Sequence, residues 1–117
     1  MRLLIFQQVS VLYFCYMSAR QYLDIDPRTL RLPPSRSTGA DPVKLQRQIA
    51  RYGNSTRGMP HLVVYRAIDS ELVIYDGVTR ATRVAKLLPG QTILVEVIGD
   101  LSSPGRPHPT VGERLPS

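Results

Sequence analysis

Residues 72–90 read Leu-Val-Ile-Tyr-Asp-Gly-Val-Thr-Arg-Ala-Thr-Arg-Val-Ala-Lys-Leu-Leu-Pro-Gly, and they decide the fold. Leu72 to Tyr75 is a short run rich in β-formers, as a strand is. Beyond Gly77 the spacing changes. Val78, Ala81, Val84, Ala85 and Leu88 recur at helical intervals and make one apolar stripe. Pro89-Gly90 cannot continue a helix and closes it. A strand therefore runs directly into a helix, and the joint is Asp76-Gly77.

Working outward, His61 to Tyr65 is a second Val-rich strand, and Ile68-Asp69-Ser70 supplies the turn between the two. Downstream, Thr92 to Ile98 reads as the last strand. Upstream, Asp41-Pro42 has the form of a helix start, because Asp caps free N–H groups and Pro is tolerated at the first helical position. Leu45, Ile49 and Tyr52 then share one face, and Gly53 ends the helix. Tyr22 to Ile25 alternates and makes the first strand, which Asp26-Pro27 breaks. Arg31 to Gly39, rich in Pro, Ser and Arg, is expected to be a loop, as is Asn54 to Met59. After Leu101 the chain carries Pro104, Pro107, Pro109 and Pro116, and is expected to be extended or mobile. The predicted class is α+β, a mixed sheet of about four strands with two or more helices. A domain over 21–100 lies between an apolar segment, 1–20, and a Pro-rich tail, 101–117.

The 117 residues suffice for one core. The net charge is +6, carried almost entirely by arginine. Arginine suits phosphate partners because its planar fork matches phosphate oxygens, although a solvated basic surface gives the same count. Cys15 is the sole cysteine, which excludes an intrachain disulfide and a cysteine-based zinc site. Two distant histidines, His61 and His108, make no metal motif. This composition fits a cytoplasmic setting. Leu3 to Met17 is apolar but interrupted by Gln7 and Gln8, and is short of the roughly 20 residues of a membrane span. Met17 as the natural start is the favoured reading. A weak N-terminal export signal and an extra amphipathic element are the alternatives.

The order of these pieces resembles the N-terminal domain of ParB proteins and sulfiredoxin. Ile25-Asp26-Pro27-Arg28-Thr29-Leu30, followed by Pro33-Pro34-Ser35-Arg36, is similar to the family's opening phrase. Leu45 to Gly53 resembles its first helix, Pro60-His61-Leu62-Val63-Val64 its entry into the next strand, and Gly90 to Ile98 its closing strand. Tyr75-Asp76-Gly77-Val78-Thr79-Arg80 is similar to its Gly-x-x-Arg turn. The resemblance covers about 21–98 and implies the ParB/sulfiredoxin fold with a phosphate-bearing ligand, a nucleotide or nucleic acid, at that turn. A nucleotide would bring Mg²⁺ with it. The departures restrict the activity. Sulfiredoxins place a reactive cysteine where Val78 stands, so sulfinic-acid reduction has no nucleophile here. ParB-like nucleotide switches carry Gly-Glu-Arg-Arg, and Val78 and Thr79 replace the Glu and one Arg.

Physical chemistry gives the same turn a role. A helix N-terminus presents unpaired N–H groups and a positive dipole end, and Gly77 lets a ligand approach the backbone. Thr79, Arg80 and Arg83 fall on one side of the helix, opposite the apolar stripe. These residues are the predicted ligand-binding set. Asp76 is a candidate helix cap and, in an alternative reading as a nuclease or phosphoryl-transfer enzyme, a catalytic base or metal ligand. A third reading is a non-catalytic interaction protein. His61 is expected to be a strand residue without a chemical role, and Glu96 to pair with an arginine or face water.

Overall fold

The change of period at Gly77 falls where the computed structural model places the joint between strand and helix. The structure describes residues 21–116; the apolar segment 1–20, with Cys15 and the proposed start at Met17, and Ser117 lie outside the described residues. β1 (Gln21–Ile25), α1 (Pro42–Tyr52), β2 (Leu62–Arg66), β3 (Leu72–Asp76), α2 (Val78–Leu87) and β4 (Ile93–Asp100) follow in chain order. The strands form one four-stranded sheet in the order β1-β4-β2-β3. β1 is antiparallel to β4 and β2 to β3, whereas β2 and β4 are parallel, with Leu62 opposite Val95 and Val64 opposite Val97. A parallel pair needs a crossover, and the hairpin to β3 followed by α2 supplies it. This is an α+β domain with a mixed four-stranded sheet and two α-helices, as the sequence pattern predicts.

The core forms where alternating strand residues meet the apolar stripe. Leu62, Val64 and Val95 are fully buried against Ala81, Val84 and Ala85 of α2. Burying a side chain of this size contributes about 1.5–3 kcal/mol each. The start of α1 follows the sequence reading: Val43 N–H donates to Asp41 Oδ1 at 3.1 Å, and Gly53 ends the helix with φ of 58°. Its face packs less deeply than the spacing implies. Leu45 is buried, Ile49 is half-buried, and Tyr52 remains exposed.

The Pro-rich margins depart from expectation. Residues after Leu101 do not run extended but fold back over the β3 side of the sheet. Val111 is buried in the core, and its N–H donates to Leu30 O at 2.9 Å. Leu32 N–H donates to Pro109 O at 2.8 Å. Arg31 lies in the middle: its N–H reaches Leu72 O and its carbonyl accepts from Ile74 N–H, extending the sheet beyond β3 by one bridge. Prolines donate no backbone hydrogen bond but keep their carbonyls, so such a segment serves as an acceptor along an edge. Side chains hold it. Arg31 Nε donates to Glu71 Oε1 at 2.8 Å, and its Nη1 to the carbonyls of Arg106 and His108. Asp69 accepts from the N–H groups of Gly105 and Arg106, and these bonds, Gly105 first, hold its carboxyl down at about 2. Thr110 and Glu113 cap one another's N–H groups, opening a short 3₁₀ turn at Gly112–Arg114.

Candidate functional site

Gly77 is the cap residue of α2, with φ of 116° and ψ of 20°. A β-carbon there would lie 2.5 Å from Leu62 Cγ and 3.0 Å from Arg80 Nη2. Real atoms do not approach so closely, so only glycine fits. No side chain caps the helix, and its first-turn N–H groups are left to solvent or ligand. Asp76 is therefore not the helix cap. Its carboxylate is largely exposed and lies 3.4 Å from Arg80 Nη2.

This turn borders a cleft of about 380 Å³. Tyr75 to Arg80 form one wall, Pro33, Ser35 and Arg36 another, and Lys44 and Gln48 of α1 the third. Three cations, Arg36, Lys44 and Arg80, thus face one carboxylate, Asp76. α1 brings Lys44 here because Asp41 and Pro42 start that helix just before it. The 3₁₀ turn Pro34–Arg36 brings Arg36. Thr79 lines the same cleft, half-buried. Arg80 is held loosely. Its Nη2 is 3.4 Å from both His61 O and Asp76 Oδ2, and its Nε is buried without a partner.

The structure separates Arg83 from this group. Arg83 is 2% exposed and does not line the cleft. Its Nη1 donates to Gly53 O at 2.8 Å and Ser55 O at 2.9 Å, and its guanidinium sits 5.4 Å from the centre of the Tyr52 ring. Burial lowers its pKa. The polar side of α2 expected from spacing is open at Thr79 and Arg80 and covered at Arg83, because the C-terminal end of α1 and the loop after it pack there. Thr82 is buried too, with Oγ1 donating to Val78 O.

The spacing argument missed Arg36, Lys44 and Gln48. Their signals, an arginine in a Pro-Ser loop and a lysine on the first turn of α1, are too common in sequence to single out. It also missed a pairing on the sheet. His61 Nε2 lies 2.8 Å from Glu96 Oε1, and the His61 ring meets the Tyr22 ring edge-on. Glu96 is 5% exposed. Among the described residues no group of three or more His, Cys, Asp or Glu stands close enough to hold a metal ion, and no helix is long and apolar enough to cross a membrane. Comparison with protein-family models, curated proteins and solved structures finds no match for this chain.

Proposed function

We propose that the cleft at the start of α2 binds a phosphate-bearing ligand, nucleotide or nucleic acid, and that the chain is a ParB/sulfiredoxin-like binding module. The observation that carries the reading is the convergence of Arg36, Lys44 and Arg80 on an uncapped helix N-terminus at a glycine that nothing else can replace. Backbone N–H groups and the helix dipole favour an anion there, and a guanidinium adds charge-assisted hydrogen bonds. Thr79 is placed to donate from its hydroxyl. Asp76 is the one carboxylate lining the cleft, so any Mg²⁺ would arrive on the phosphates of a nucleotide, which suits its preference for phosphate and water oxygens. The order of strands and helices around the turn, and a Gly-x-x-Arg joint between β3 and α2, support the family assignment.

Titration of the purified protein with CTP, ATP and single-stranded DNA at low and moderate salt tests the proposal. Binding should weaken steeply with salt for the nucleic acid and less for a nucleotide, which contacts fewer cations. Absence of binding to all three at low salt would overturn the reading.

A further inference from the structure

The cleft at the start of α2 does not end at Arg80. A second space, of about 230 Å³, lies between α1, the loop after it and α2, and shares Gln48 and Arg80 with the first as walls, so the two adjoin. Arg36 and Lys44 border the first space, Arg57 and Tyr52 the second, and Arg80 both. Arg36, Lys44 and Arg57 are exposed, and Tyr52 keeps 48% of its surface open.

The positive charge continues along α1. Lys44, Arg47 and Arg51 recur at i, i+3 and i+7, share one face of that helix and are exposed. Neither α1 nor α2 contains an acidic residue. Among the described residues, no ion pair takes up Arg36, Lys44, Arg47, Arg51 or Arg57. Of the nine Asp and Glu in the chain, Asp76 alone lines either space. The others are engaged or placed elsewhere: Asp41 caps α1, Asp69 and Glu71 hold the tail and Arg31, Glu113 caps Thr110, and Glu96 pairs with His61 on the sheet. A mononucleotide brings its phosphates to one point and leaves Arg51 and Arg57 without a counter-charge. A polymer of phosphates engages the whole row. Spaces of this size take one nucleotide-sized group apiece. A single strand delivers such groups in series, whereas the bases of a duplex are stacked within it. Tyr52, with the Arg51 guanidinium 5.5 Å from its ring centre, offers an aromatic and guanidinium surface for a base.

We propose that the ligand is a single-stranded nucleic acid that runs from the start of α2 along α1 to Tyr52 and Arg57. One phosphate sits at the turn with Arg36, Lys44 and Arg80, its neighbours meet Arg51 and Arg57, and a base stacks at Tyr52. The inference rests on the reading of the turn as a phosphate site and names the class of ligand. The 11 residues of α1 span about 16 Å at 1.5 Å each, which is about five phosphates at the spacing of a B-form strand.

The test titrates the full chain calorimetrically with CTP, dTMP and oligothymidylates of increasing length at one low salt concentration. Affinity should rise from dTMP to strands of about five nucleotides and then level off. Arg51→Gln and Arg57→Gln should each weaken strand binding several-fold and lower the slope of log affinity against log salt by about 0.7. Neither residue borders the turn cleft, so CTP binding should not change. A strand of equal length without bases should bind about tenfold more weakly, the value of one stacked base. The inference is overturned if CTP binds and longer strands bind no tighter, if both variants match the wild-type chain, or if a duplex or a base-free strand of equal length binds as tightly. Those outcomes leave the phosphate site at the turn standing. Absence of binding to mononucleotides and strands alike removes that site as well, and this inference with it.

Discussion

Arg80 and Arg83 stand one helical turn apart on α2, yet their surroundings differ. Arg80 borders an open cleft, with two long contacts of 3.4 Å and an unpaired Nε. Arg83 is enclosed, with two carbonyls at 2.8 and 2.9 Å and an aromatic ring over its face. Both are arginines on the side of the helix away from the sheet. What separates them is the neighbour across from each: the start of α1 leaves a gap opposite Arg80, and the end of α1 with the following loop fills the space opposite Arg83. A charged position on a helical wheel does not reveal whether solvent or another element covers it. The comparison predicts that the first turn of α2 serves binding and the second serves stability.

The largest effect should come from Val84→Asp. Val84 has no exposed surface and belongs to the core cluster. An aspartate there is an unpaired buried charge, and the loss should exceed about 4 kcal/mol. Urea unfolding should show no cooperative transition. A stable Val84→Asp variant would mean that the helix is rotated from the described packing, which removes the basis for contrasting its two turns.

Gly77→Ala should follow. It places a β-carbon 2.5 Å from Leu62 Cγ at φ of 116°. Overpacking of this kind and left-handed backbone strain together cost about 3 kcal/mol. Here the first turn of the helix would show a structural role, limited to its backbone. Retention of full stability by Gly77→Ala in denaturant titration would show that the joint adjusts, and would weaken the case that the backbone there is fixed for a ligand.

Arg83→Met should cost about 2 kcal/mol. It deletes two charge-assisted bonds to the carbonyls of Gly53 and Ser55, and relief of a buried charge offsets part of that loss. Protection from amide exchange in residues 53–59 should fall with it. A neutral result would show that the clamp on the loop contributes nothing net, and Arg83 would then lose its claim to a structural function.

These contrasts explain how much could be read from the sequence. β3 and α2 were legible because two simple periods meet at one glycine, and because Val84 and Ala81 have no alternative to the core. Gly77 was legible as the joint between them, but not the packing of Leu62 where a β-carbon would stand. The tail was not. Its prolines look like an extended segment, and its anchors are long-range: Asp69 reaches Gly105 and Arg106, and Arg31 reaches Arg106 and His108. One local clue was present, since Thr110-Val-Gly-Glu113 has the spacing of a capping box. The cations that complete the cleft were hidden for the same reason as the tail. Lys44 and Arg36 come from segments some 35 to 45 residues from Arg80, and only the folded chain brings α1 and the 3₁₀ turn Pro34–Arg36 beside the start of α2.

The smallest expected change in stability, and the sharpest functional one, belongs to Arg80→Ala. Its side chain is 19% exposed, more enclosed than a freely solvated surface arginine. Its contacts are nevertheless long, and removing it also removes the orphaned Nε. The loss of folding energy should therefore be about 1 kcal/mol, above the half kcal/mol of a surface change and well below Arg83→Met. Binding should respond far more. A charge-assisted hydrogen bond to phosphate contributes about 1.5–3 kcal/mol, which is roughly tenfold to a hundredfold in affinity. Arg80→Lys should recover only part, since a point charge replaces a planar fork. Melting temperature and nucleotide affinity measured side by side on Arg80→Ala, Arg80→Lys and Arg83→Met decide the matter. The two turns of α2 have distinct roles if Arg80→Ala loses affinity with little loss of stability and Arg83→Met loses stability. If Arg80→Ala leaves affinity unchanged, the ligand does not sit at the start of α2, and the contrast between the two arginines is one of packing alone.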